Sequence, residues 1–177
     1  MPQGAKISLV VLMTFLFLGG INAQERSIGA TFSYAGTGIS FQDKINEDTF
    51  IEIQLRGETT HLFAAASTMP GMTASLTWNM IFAQMTSPDG NRISLFAGPG
   101  ILAGFADNIP IHKGVVFGLK GRVGAECRFN RNVAISACVS PVIGVHASMK
   151  DGMPYMLLYK TGLLNSAMPE IGIRYIF

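Results

Sequence analysis

The stretch GVVFGLKGRVGAECRF, residues 114–129, puts Lys120, Arg122, Glu126 and Arg128 at even positions and Val115, Phe117, Leu119, Val123 and Phe129 at odd ones. Helical side chains repeat every 3.6 residues and cannot segregate charge at a spacing of two, whereas strand side chains alternate between faces. The stretch is therefore a long strand with one charged and one apolar face. FIEIQLR sets Ile51, Ile53 and Leu55 against Glu52, Gln54 and Arg56 in the same way. MTASLTWNMIFAQM sets Leu76, Trp78, Met80 and Phe82 against Thr73, Ser75, Thr77 and Asn79. The chain is 49% hydrophobic and only 14% charged, yet beyond residue 23 it has no apolar run approaching the roughly 20 residues of a spanning helix. Apolar content without apolar runs is the pattern of strands that meet lipid on one face and a lumen on the other. A net charge of +2 is too small to imply a nucleic-acid partner.

The front end reads as an export signal. Lys6 precedes an apolar run from Ile7 to Leu18, and Ile21-Asn22-Ala23 offers a small residue before Gln24. Charged, apolar and small-residue parts in that order mark a secretory signal peptide over 1–23, cleaved near Ala23, with a single domain over 24–177. Turn signals at Ser87-Pro88-Asp89-Gly90-Asn91 and Asn130-Arg131-Asn132 separate strands. The pattern predicts strands near 27–41, 48–56, 59–67, 71–85, 92–107, 114–129, 132–149 and 167–177. The connections 57–58, 86–91 and 130–131 are short, and 42–47, 107–113 and 150–166 mostly longer. The expected fold is all-β: a closed antiparallel up-and-down transmembrane β-barrel of about eight strands, with short turns on the periplasmic side and loops outside.

The closing PEIGIRYIF sets Ile171, Ile173, Tyr175 and Phe177 on one face, against Glu170, Gly172 and Arg174. Together with the alternation and the turn placement, this ending resembles the small eight-stranded bacterial outer-membrane barrels of the OmpA-barrel and OmpX type. Segments such as LFAGPGILAGF and PGMTASLTWNMIF are similar to the uncharacterised outer-membrane β-barrel domain proteins of Gram-negative bacteria. The resemblance implies a location in the bacterial outer membrane, in contact with its lipid and lipopolysaccharide. It also implies that Ile173, Tyr175 and Phe177 form the terminal signal read by the barrel assembly machinery. It implies no activity and no cofactor.

Inside such a barrel the alternation places Glu52, Arg56, Arg92, Lys120, Arg122, Glu126, Arg128, Glu170 and Arg174. Mixed signs predict an interlocked ion-pair network, since buried charges persist when paired, with a cation excess that leaves room for an anion. Val139, Ile143, Val145 and Ala147 facing out would turn His146 and Ser148 inward. The His-x-Ser pair, with Glu170 as nearest downstream carboxylate, resembles in part the outer-membrane lipid A deacylases. It departs from them in Met149, where an Asn is expected, and in facing the lumen. Cys127 and Cys138 differ in parity, so two free thiols are expected rather than a disulfide. His61 and His112 have no ligand-like spacing, and no metal site is expected. The 150–166 loop carries Tyr155, Met156, Leu158 and Tyr159, a candidate protein-partner surface outside unless it extends the flanking strands. The best reading is a structural or interaction component of the envelope, accessory to a larger complex. A lipid A-modifying hydrolase and a narrow passive channel are the alternatives.

Overall fold

A computed structural model describes residues 25–34, 36–58, 71–108, 113–129, 132–150, 153–165 and 168–177. The proposed signal segment, the strand expected at 59–67, His61 and His112 lie outside these residues. Among the described residues ten strands form one sheet: β1 (Arg26–Ser33), β2 (Gly36–Asn46), β3 (Thr49–Glu58), β4 (Met72–Thr86), β5 (Arg92–Asp107), β6 (Lys113–Arg128), β7 (Val133–Val139), β8 (Val142–Lys150), β9 (Met153–Leu158) and β10 (Glu170–Ile176), with a short helix α1 (Lys160–Asn165) before the last. Each strand pairs antiparallel with its neighbours, and β10 joins β1, so the sheet closes.

The ten segments occupy eight wall positions. β7 and β8 are one strand broken at Ser140-Pro141, and both pair with β6. Pro141 has no N–H to give a ladder, although its carbonyl still accepts from Gly121 N at 2.8 Å. β9 and β10 share the eighth position, one against β8 and the other against β7. Following paired residues once round the wall leads from Glu126 through Ser136, Gly172, Thr31, Gly38, Arg56, Thr73 and Gly104 to Val116. The path returns to β6 ten residues from its start, so the barrel has eight strands and a shear of ten. That combination tilts the strands by about 40°.

Three sequence expectations change. The strand expected at 27–41 is a hairpin, with Ser33 facing Gly36 across a turn at Tyr34. Ser33 Oγ closes the turn by accepting from Gly36 N at 3.2 Å. The outward residues switch from even (Ile28, Phe32) to odd (Thr37, Ile39) across it, and a parity switch is the mark of a turn or bulge rather than a continuous strand. In consequence β2 runs on to Asn46, and 42–47 is no exterior loop. Its reversal at Glu47-Asp48 lies at the end that carries Glu25 and Phe177, the terminal end. Residues 57–58 finish β3 at the opposite, distal end instead of turning at the terminal one. The turn at 87–91 is as expected, with Gly90 at φ 79° and its N–H bonded to Ser87 O at 2.9 Å.

The molecule is polar inside and apolar outside. Arg174, Glu52, His146, Asn79 and Thr31 are fully buried, while Ile28, Ile53, Leu76, Trp78, Phe82, Phe117 and Leu119 are exposed. The rim is also slanted. From the register and tilt, the β8–β9 hairpin stands about 20 Å farther from the terminal end than the β1–β2 turn.

Candidate functional site: a charged, blocked lumen

Glu52 is the centre of the interior. On β3 it faces Gln42 of β2 in register and accepts from Gln42 Nε2 at 2.6 Å. Its carboxylate also pairs with Arg122 and with Arg174 Nη2 at 3.1 Å. Arg174 turns its other terminal nitrogen to Glu126 at 2.8 Å. Arg122 reaches Glu170 at 3.5 Å, which in turn holds Arg56. Arg174 fits because Gly29 lies opposite it on β1; a Cβ there would stand 2.6 Å from Arg174 Cγ. Arg122 also lies over the Phe96 ring at 5.5 Å, and Phe96 meets Phe50 edge-on at 5.4 Å. Charges and rings together fill the section.

Lys120 is buried apart from the carboxylates. Its ammonium donates to Gln54 Oε1 at 2.7 Å and Ser75 Oγ at 3.0 Å, and Gln54 Nε2 donates on to Thr31 Oγ1 at 2.9 Å. Cys138 Sγ sits 3.3 Å from Arg122 Nη2 and 3.6 Å from Glu170 Oε1. Both cysteines are free thiols; Cys127 pairs with Ile135 and Cys138 with Gly124, on opposite faces. Arg92 departs from its expected place: it is exposed at the terminal end, bonded to Gln84 Oε1 at 2.6 Å. Glu58, by contrast, is buried at the distal end of β3. Among the described residues the interior then holds Arg56, Lys120, Arg122 and Arg174 against Glu52, Glu58, Glu126 and Glu170. With Arg128, nearly as buried as Arg56 and paired to Glu126 at the mouth, the cations exceed the carboxylates by one, a smaller excess than the sequence suggests.

The terminal mouth is tied across by Glu25, whose Oε2 accepts from Lys44 Nζ at 3.1 Å and Arg128 Nη1 at 2.9 Å. Arg128 also reaches Glu126 at 3.4 Å. Behind this tie lies a cavity of about 30 Å³, walled by Phe50, Ile81, Phe96 and Ile176 among others. Partial burial pushes the Glu25 carboxyl up, but hydrogen bonds from Arg128 and Lys44 outweigh it and hold the group below its ordinary value of 4.5. A folded-state pKa below the unfolded one gives stability that is present above the unfolded value and lost as pH falls through the folded one. The difference in urea midpoint between the parent and Glu25→Gln should therefore be largest above pH 4.5 and shrink on acidification. A difference that stayed constant would assign the tie no electrostatic role.

The two members of the His-x-Ser pair are bonded to separate backbone carbonyls. His146 Nε2 lies 3.2 Å from Ala106 O, Ser148 Oγ donates to Lys113 O at 2.8 Å, and Glu170 is engaged by Arg56 and Arg122. A nucleophile needs its base within hydrogen-bond reach; here each group is bonded to a different partner. No three His, Cys, Asp or Glu side chains converge as a metal site among the described residues. Ile173, Tyr175 and Phe177 face outward and are exposed at the terminal end. Of the candidate partner residues, Tyr155, Met156 and Leu158 are exposed on β9. Tyr159 is not: it is buried with Leu102, Ala106, Val116 and Val142, because it continues the β9 register opposite the inward Gly144. Sequence reasoning also missed Gln42, Glu58 and Glu25. Gln42 shares the parity of Ser40 and would have been found had the strand been carried past residue 41.

No family model matches the sequence, and no curated protein does. In the solved structures, the chain is similar to the N-terminal β-barrel domain of Pseudomonas aeruginosa OprF. The TM-score is 0.52 at 15% identity, over 87% of this chain and 96% of that one. At that identity the likeness concerns the fold, which is the closed eight-stranded antiparallel barrel of the OmpA type.

Proposed function

We propose that the protein is a non-conducting outer-membrane barrel that serves as a structural or interaction component of the cell envelope. The observation that carries this reading is the layer of Glu52, Arg122, Arg174 and Phe96, all at most 3% exposed, which leaves no passage along the axis. The exposed apolar belt would sit in outer-membrane lipid and lipopolysaccharide. Ile173, Tyr175 and Phe177, on the strand that closes the barrel against β1, would serve as the signal for the assembly machinery. The part offered to a protein partner is the β8–β9 hairpin. It stands farther out than the β1–β2 turn and exposes Met149, Met153, Tyr155, Met156 and Leu158, and apolar side chains carried clear of the membrane mark an interaction surface.

The test is gentle purification from native outer membranes with companions quantified, beside planar-bilayer recording of the purified barrel. The expected result is no steady conductance, and a stoichiometric companion that Met156→Asp with Leu158→Asp releases. Steady conductance that changes in Arg122→Gln would make the protein a narrow channel instead. A barrel that purifies alone at native abundance would remove the interaction reading.

A further inference from the structure

The eighth wall position is the one place among the described residues where the chain leaves the wall and re-enters it. The β8–β9 register pairs Val145 with Leu158, and continued downward it would set residue 165 opposite Cys138. Glu170 stands there instead, so five surplus residues are taken out of the wall. Tyr159 N still donates to Gly144 O at 2.8 Å, and its side chain then points into the lumen between the inward residues Leu102, Ala106, Val116 and Val142. Inward positions nearby are glycines: Gly104, Gly114, Gly118 and Gly144. α1 follows, packed against β8 at the distal end, with Gly162 so close to the Tyr159 ring that a Cβ would lie 2.4 Å from it. One buried side chain from β5's end holds the segment from outside: Asn108 Nδ2 donates to Leu158 O at 2.8 Å, and its Oδ1 accepts from Lys160 N at 2.9 Å and Thr161 N at 3.3 Å.

Six residues with a glycine inside do not make a helix that is stable by itself. After the one ladder bond of Tyr159 N, the segment is held by its seat, with the Tyr159 ring and Asn108 in it. Beneath it lies a cavity of about 40 Å³ lined by Arg56, Glu58, Ser140, Tyr159, Gly162 and Glu170, among others. The Glu52 layer closes the lumen again farther down. We infer that Tyr159–Asn165 is a detachable stopper: it leaves its socket while the barrel stays folded, opening a blind, polar vestibule to the outside. Elements with few buried contacts open at lower free energy than the strands around them, and beyond the bond of Tyr159 N the segment takes no part in the sheet.

Ser140 lines this cavity, whereas Cys138 lies in the Arg122–Phe96 layer beneath it, so the reporter is Ser140→Cys in a Cys127→Ser, Cys138→Ser background. Folded barrel in micelles is treated with a small charged methanethiosulfonate, and labelling at position 140 is timed. Tyr159→Ala and Asn108→Ala are expected to label at least tenfold faster than the parent, while Leu163→Ala, on the exposed side of α1, labels at the parent rate. Heat-modifiable migration on gels checks that each variant is folded. Folded Tyr159→Ala and Asn108→Ala proteins that label at the parent rate would overturn the inference. So would an equal acceleration in Glu25→Ala, which would assign access to the terminal mouth. If the variants do not fold, hydrogen exchange on the unaltered protein decides. The amides of Tyr159, Lys160 and Thr161 should exchange well before those of β10, and equal protection would make the segment a fixed part of the wall.

Discussion

Glu52→Ala is expected to lower the unfolding free energy by about 3–5 kcal/mol, the usual effect of removing one partner from a buried ion pair. The carboxylate is fully buried and meets two arginines and Gln42 Nε2. Its loss leaves Arg122 with Glu170 at 3.5 Å and Arg174 with Glu126 at 2.8 Å, so two guanidinium groups keep one carboxylate each in a space without bulk water. The measurement is reversible urea unfolding in lipid vesicles, beside Arg128→Ala as a control. Arg128 is bound to carboxylates as well, but at the mouth, where its side chain is 22% exposed; loss of an exposed pair changes stability by about 0–1 kcal/mol. Adding Arg122→Leu to Glu52→Ala should recover part of the loss, because an apolar side chain of similar size replaces an unpaired charge. A Glu52→Ala barrel as stable as the parent would mean that water reaches the layer, and the lumen would not be blocked as described.

The barrel was legible in the sequence wherever an apolar outer face and a charged lumen alternate along one strand. Along β6 the outward residues are apolar or small and the charges all face in, so Lys120, Arg122, Glu126 and Arg128 could be placed from parity alone. The β1–β2 turn was not legible in this way, because Ser33-Tyr34-Ala35-Gly36 contains no Pro-Gly or Asn-Gly signal and announces itself only through the change of parity. Partnerships were less legible still. Parity puts Glu52 and Arg174 inside, but their meeting depends on the shear of ten residues, which is a property of the closed sheet and not of either strand. The same holds for Glu25, which crosses the mouth to reach strands far apart in the chain. Tyr159 was misread for a different reason. In a run of exposed apolar residues it has the composition of a surface, and only the register of the hairpin, which sets it opposite the inward Gly144, turns it into the lumen. Asn108 carries no local mark, since the groups it binds are about 50 residues away.

Ile53→Arg separates a barrel in lipid from a β-protein in water. Ile53 lies midway along β3, faces out at 46% exposure, and has Phe41 and Leu76 beside it on the outer face. In water, a substitution at such a site changes stability by about 0.5 kcal/mol or less. In a bilayer the same guanidinium lies near the midplane and destabilises by about 2–4 kcal/mol, falling to about 0–1 near the interfaces. Phe129→Arg supplies the second depth: Phe129 is also exposed, one residue past the terminal end of β6. Both variants are unfolded from vesicles of fixed composition and compared with the parent. A large loss for Ile53→Arg with a small one for Phe129→Arg is expected. It would place the hydrocarbon across the middle of the exposed belt and give the apolar outer face its solvent. Two small and equal losses would mean that no bilayer surrounds the belt, and the proposed location and the role built on it would fall together, leaving the fold as it is.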